Sequence, residues 1–357
     1  MDIRRSTVRP TLSRTIESMR SIVYSSTGTS DVLRLVERAI PEPGPGQVRV
    51  RMLVSGVNPT DWKRRVAQTG PSDLAGDVVP NQDGAGVVDA LGGGITGLAV
   101  GDRVWIYLAQ HGSPEGTAQE FTVVDAAKAV PLPDSVSFDV GASLGVPAMT
   151  AHRALTVHED GPARLAPGAL VGRMVLVTGG AGAVGHAAIQ LAKWAGATVI
   201  ATVSSEGKGA LARAAGADHV IDYTTGDPAA GIRSLAPDGV DIVVDVDIIR
   251  NVELVGAVLA TRGSVAIYAN SGDAATIPMR AFMGLNAGLQ YVLLYTVGQA
   301  ALAAAAADVT AAAAAGALEV GDEHGLPLTR FALADTAAAH DAVEGGAVGK
   351  VLIDVAS

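Results

Sequence analysis

Between residues 22 and about 146, apolar positions come in short runs that alternate with polar ones and stop at glycine and proline turns. The run 48–54 has the two-residue period of a half-buried strand, and the rigid segment Pro41-Glu42-Pro43-Gly44-Pro45-Gly46 precedes it. Runs 87–91 and 102–106 read as further strands, separated by Gly92-Gly93-Gly94. Many short strands of this kind predict a barrel-like β domain. From about residue 168 the pattern changes. A continuous apolar strand at 174–177 leads through glycines into a helix at 184–195, then a strand at 198–203 and a helix at 207–215. Strands at 219–221, 242–246 and 264–268 follow, with a helix around 252–259 before the last. Fully apolar strands alternating with helices predict a parallel sheet covered on both faces. Residues 288–294 read either as an edge strand or as an interior one. An alanine-rich helix (299–318), a helix at 336–343 and a strand at 351–355 complete the reading.

Composition narrows the class. A chain of 357 residues with 48% hydrophobic and 17% charged residues is expected to form two compact domains. The alanine-rich segment is the nearest approach to a membrane span, but Asp308, Thr310 and Gly316 interrupt it, so a soluble, cytoplasmic protein is expected. A formal charge of −10 argues against nucleic acid as a partner. With no cysteine, disulfides, thiolate nucleophiles and cysteine-ligated zinc are excluded. No metal site is expected: the seven histidines lack ligand spacing, and His152 and His158 read as surface or helix-end residues. Residues 1–18, with Arg4, Arg5, Arg9 and Arg14 among serines and threonines, read as a disordered extension.

The chemistry starts at Gly180-Ala181-Gly182-Ala183-Val184-Gly185, between a predicted strand and a predicted helix. In that context Gly180 permits a tight turn, Gly182 lets backbone amides approach a diphosphate, and Gly185 allows close helix–strand packing. The amides of Ala183 and Val184 face the anion at the positive end of the helix. The next strand ends in Ser204-Ser205, with Lys208 shortly after and no carboxylate on its tip, although Glu206 is close. Hydroxyls and an ammonium suit a 2′-phosphate, so NADPH is the expected cofactor.

These residues, with Ser55-Gly56-Val57-Asn58-Pro59, Asp83-Gly84-Ala85-Gly86-Val87-Val88, Gly101-Asp102-Arg103-Val104, Gly145-Val146-Pro147-Ala148-Met149-Thr150-Ala151, the stretch from Ala214 to Tyr223, and Gly349-Lys350-Val351, resemble a known family. The chain is similar, from about Met19 onward, to the zinc-independent quinone oxidoreductase branch (zeta-crystallin-like) of the medium-chain dehydrogenase/reductase superfamily. The resemblance implies an α/β protein: a GroES-like β-barrel catalytic domain, built from residues 19–146 and 296–357, plus a doubly wound Rossmann domain over 147–295. It implies a homodimer or homotetramer. Zinc-dependent relatives carry Cys and His where Asn58 and Gln82 stand, so the resemblance implies hydride transfer without Lewis-acid help. Asn81 replaces a usual glycine, and Lys63, beside Trp62, replaces a tyrosine common near the substrate.

The expected activity is hydride transfer from NADPH to a quinone or similar conjugated carbonyl, with Asn58 and Lys63 stabilising the oxyanion and Asp61 orienting Lys63. Water or Lys63 supplies the proton. The resemblance further places Lys208 and Tyr223 at the 2′-phosphate, and Thr150, Asn270 and Lys350 along the ribose–nicotinamide channel. Two other readings stand beside this one: an NADPH-dependent enoyl or alkenal reductase of a biosynthetic pathway, and a nucleotide-binding protein without catalysis.

Overall fold

The computed structural model describes residues 18–67 and 72–356. The expected disordered extension therefore lies outside the described residues, apart from Ser18, which opens the first strand. The N-terminal half holds β1 (Ser18–Ser26), β2 (Arg34–Ala39), β3 (Gln47–Val57), α1 (Pro59–Val66), β4 (Asp73–Val78), β5 (Asp83–Leu91), β6 (Arg103–Ile106), β7 (Phe121–Asp125) and β8 (Ala129–Pro131). One sheet runs β2-β1-β4, and the larger one includes β3, β5, β6 and β8, with β7 on β3. These pairings are antiparallel.

A long helical passage then crosses to the second half: α2 (Phe138–Ser143), a wider π turn over 144–148 that contains Pro147, and α3 (Met149–Thr156). The Rossmann half comprises β9 (Met174–Thr178), α4 (Ala183–Trp194), β10 (Thr198–Val203), α5 (Glu206–Ala214), β11 (His219–Asp222), α6 (Pro228–Leu235), β12 (Val240–Asp245), α7 (Ile248–Val258), β13 (Leu259–Ile267), α8 (Met279–Leu285) and β14 (Gly288–Tyr291). Its six strands are parallel in the order β11-β10-β9-β12-β13-β14, the doubly wound arrangement. Residues 288–291 thus form an edge strand. The chain returns through α9 (Gln299–Ala314), β15 (Leu328–Ala332), α10 (Thr336–Glu344) and β16 (Lys350–Asp354), and β16 pairs antiparallel with β3.

The apolar runs explain the layering. Successive residues of β9 point to opposite clusters: Val175 and Val177 pack with Met149, Ala187 and Leu302, whereas Leu176 packs with Ile232, Val252 and Phe282. The same alternation puts Val199 and Ala201 on one face and Ile200 on the other. A strand buried on both faces has no polar side to show. The 160–171 segment, unexplained by pattern, is held by Asp308 of α9. That buried carboxylate accepts from Leu165 N–H (2.8 Å), His152 Nε2 (2.8 Å) and the Arg164 guanidinium. His152 and His158 are both buried, which corrects their reading as surface groups. Among the described residues, no helix is long and apolar enough to cross a membrane.

Candidate active site

At the end of β9 the chain turns sharply into α4. The left-handed residue of that turn is Gly179, with φ 69°, one position before the expected Gly180. Gly180 serves packing instead: a Cβ there would stand 2.9 Å from the Ala201 methyl. Gly185 is needed because the helix rides over the turn, and its Cβ would lie 2.4 Å from the Gly179 carbonyl oxygen. The first intrahelical bond of α4 is His186 N–H to Gly182 C=O, at 2.7 Å. The amides of Ala183, Val184 and Gly185 precede it and lack helical acceptors, leaving an anion-binding helix end.

The turn opens on a cleft of about 350 Å³ between the two halves. Gly182, Ala183, Ser204, Lys208 and Tyr223 border it on the Rossmann side, and Asn58 and Lys350 on the barrel side. Lys208 Nζ donates to Ser204 Oγ at 3.0 Å, so an ammonium and a hydroxyl stand together at the tip of β10. Ser205 does not border the cleft. Its hydroxyl accepts from Lys208 N–H (3.3 Å) and caps α5. Glu206 stays off the lining as well.

Behind the barrel-side wall lies a buried polar network. Asn58, which precedes α1, donates through Nδ2 to Asp83 Oδ2 and accepts through Oδ1 from Lys350 Nζ, both at 2.7 Å. Lys350 also reaches the Val57 carbonyl (3.2 Å). Asp83 takes a further bond from Val146 N–H (2.8 Å) in the π turn, and it packs where a Cβ on Gly145 would clash. Asp61 accepts from Asn58 N–H (2.7 Å) and Gln82 N–H (3.1 Å). All four side chains are buried.

The expectation that Asp61 orients Lys63 is therefore corrected. Asp61 faces inward because two backbone amides need an acceptor there, whereas Lys63 is exposed, with its ammonium 5.8 Å from the Trp62 ring centroid. Asp83 is a site residue that pattern reading missed. Its signal was a carboxylate opening a run of glycine and apolar residues over 84–88. Asn81 adopts φ 78°, a left-handed conformation that asparagine tolerates, which accounts for its standing in a glycine position. It also joins His340 Nε2 (2.9 Å) to Ser55 Oγ (3.0 Å).

Burial, and then the charge of Asp83, pushes the Asp61 carboxyl well above its ordinary range. Burial likewise raises Asp83 to about 6, against the opposing pull of Lys350, the Val146 amide and Asn58. A carboxyl whose folded value is raised stabilises the fold fully only below its unfolded value, and that contribution fades as pH climbs through the folded one. Stability from this pair is thus present near pH 4 and lost toward pH 7. Asp83→Asn should flatten that loss, so that urea titrations at pH 5 and pH 8 differ less for the variant than for the parent. An equal difference in both proteins would count against the burial argument.

The remaining candidates lie elsewhere. Thr150 is buried in α3 and does not border the cleft. Asn270 lines a neighbouring cavity with Trp62 and Lys63, and its Nδ2 donates to the Gly272 carbonyl. Gly180, Val184 and Gly185 stand behind the lining.

Comparison with known proteins gives this architecture a family. Residues 44–134 match the alcohol dehydrogenase GroES-like domain, and residues 183–311 match the domain described as zinc-binding dehydrogenase. Rat quinone oxidoreductase is 30% identical over 257 residues, which cover 71% of this chain and 74% of that protein. The chain belongs to the quinone oxidoreductase branch of the medium-chain dehydrogenase/reductase superfamily. The chain shares its fold with a mycobacterial protein solved in complex with NADPH: TM-score 0.76, 31% identity, covering 94% of this chain and 99% of that one. Tomato 2-methylene-furan-3-one reductase is 35% identical over 233 residues, 64% of this chain, and the chain spans only 56% of its length.

Proposed function

We propose that this chain reduces quinones or other small conjugated carbonyl compounds at the expense of NADPH. The observation that carries the reading is the single cleft that gathers a glycine turn, a helix N-terminus, the Ser204–Lys208 pair and the buried Asn58–Lys350 pair. The donor set fits the cofactor: amides for a diphosphate, and a cation with two hydroxyl-bearing side chains (Ser204 and Tyr223) for a 2′-phosphate. When bound, NADPH supplies the hydride. Asn58 retains one Nδ2–H beyond its bond to Asp83, and that N–H is available to charge developing on a substrate oxygen. Asp61 and Asp83 position Asn58, and Lys350 holds its carbonyl end. Lys63, outside the network, adds positive charge at the substrate side, and it or water delivers the proton. Conjugation spreads the incoming charge, so positioning supplies much of the acceleration.

Lys63→Met is expected to lower kcat about tenfold while the NADPH dissociation constant stays unchanged. Unaltered turnover would remove Lys63 from the chemistry. Steady-state oxidation of NADPH with a panel of quinones and enones tests the whole reading, and no oxidation with any of them would overturn it. The tomato relative's name favours a second reading, an enone or alkenal reductase, which the same panel separates by the ratio of kcat/KM values.

The quaternary and cellular readings are ours too. Edge strand β14 carries Tyr291, 79% exposed, and we assign it to a homodimer contact, checked by sedimentation. The domain division at 146/147 and 295/296 and a cytoplasmic location belong to the same proposal.

A further inference from the structure

A second cavity, of about 290 Å³, is walled by Thr60, Lys63, Arg64, Gln82, His111 and Tyr295. It adjoins the buried network through Gln82. Gln82 precedes Asp83 and donates its N–H to Asp61, and Tyr295 donates its hydroxyl to Thr60 Oγ1 at 2.9 Å. One wall is aromatic: the rings of His111 and Tyr295 lie 5.3 Å apart at 59°. The lining also carries two cations, Lys63 and Arg64, from consecutive positions of α1.

The charge here runs against that of the whole chain. The formal net charge is −10, yet among the described residues no carboxylate borders this cavity. Neither Lys63 nor Arg64 forms an ion pair among the described residues; Lys63 leans on Trp62, and Arg64 approaches the Tyr24 hydroxyl. Asp61, the acid beneath the floor, is turned toward the Asn58 and Gln82 amides. Lys128 donates to the His111 carbonyl at 2.7 Å. Burial, followed by the nearby charges of Lys128 and Arg64, holds the His111 imidazole below its usual value. Lys63 also borders an adjoining cavity that contains Asp273, so Arg64 is the cation committed to this one.

We propose that this cavity selects a planar conjugated substrate bearing an anionic group, a carboxylate on the quinone or enone frame, with Arg64 as its charge partner. The aromatic wall takes the face of the conjugated system, and the guanidinium fork matches a carboxylate in two parallel bonds. This deepens the proposed reductase reading and rests on it for turnover, though not for binding.

Two matched pairs test it: a 1,4-naphthoquinone with a propionate side chain against its methyl ester, and a benzylideneacetone with a para-carboxylate against its methyl ester. In each pair the charge is remote from the reacting carbonyl. The acid should exceed the ester by about tenfold in kcat/KM at low salt, and the preference should shrink as salt rises. Arg64→Gln should reduce the acid-over-ester ratio to near one, and Arg64→Lys should retain part of it. An ester equal to or better than the acid, or a ratio untouched by Arg64→Gln, overturns the proposal. Calorimetric titration with 2-naphthoate and 2-naphthamide reads the anion preference without turnover. Absence of NADPH oxidation with all four compounds would defeat the reductase reading, while naphthoate selectivity lost in Arg64→Gln would still support the anion site. Equal affinity for the two naphthyl ligands would refute it.

Discussion

Lys350→Met is expected to cost about 3–5 kcal/mol of folding stability. The lysine is 2% exposed, and its ammonium is hydrogen-bonded to Asn58 Oδ1 and the Val57 carbonyl. Its charge restrains both Asp61 and Asp83, whose carboxyls burial is already driving upward. Methionine fills similar volume but donates nothing, leaving two acceptors bare and two buried carboxyls without a cation. Those carboxyls must then either hold their protons or remain charged and uncompensated, so the loss should grow from pH 6 to pH 8. Urea denaturation at the two pH values measures this. The double variant Lys350→Met/Asp83→Asn should recover part of the stability, because it removes one of the stranded charges. An unchanged midpoint in Lys350→Met at pH 8 would mean that the network contributes nothing to the fold.

Lys208→Glu should weaken NADPH binding about a hundredfold while altering NADH binding far less. The ammonium stands 3.0 Å from Ser204 Oγ on the wall of the cleft, and the nearest carboxylate in sequence, Glu206, does not border it. A bond from a cation to a phosphate contributes about 1.5–3 kcal/mol, and replacing the cation by an anion adds repulsion of comparable size. At about 1.4 kcal/mol per factor of ten, the low end of the two together gives the predicted ratio. Fluorescence titration with both nucleotides reads it directly. Parallel losses for NADPH and NADH would place Lys208 away from the 2′-phosphate.

Much of the architecture was legible in one dimension because burial on two faces erases polar alternation. The runs at 174–177 and 198–203 could belong to nothing but covered strands, and the structure packs their alternate residues into opposite clusters. The glycine turn was legible for a related reason, since close backbone approach admits no side chain at position 185. Local spacing was less exact about roles: it credited the turn to Gly180, whereas the left-handed conformation falls on Gly179. Helices α1 and α2 left little trace, being only eight and six residues long.

The amino-acid order by itself determined the two-part fold, the strand–turn–helix at the cleft, and the absence of cysteine that rules out a thiolate chemistry. Only tertiary structure decided which side chains act together. Asp83 and Lys350 are far apart in sequence, yet they meet on the two ends of one asparagine amide because β16 pairs with β3 beside β5. Asp61 and Lys63 are two positions apart on one helix and point to opposite environments, one capping amides in the interior and the other in solvent. The physical reason is the same in both cases. Periodicity reports which face of an element is buried, but a buried polar group takes its partner from whatever element the fold packs against it, and no local pattern records that choice.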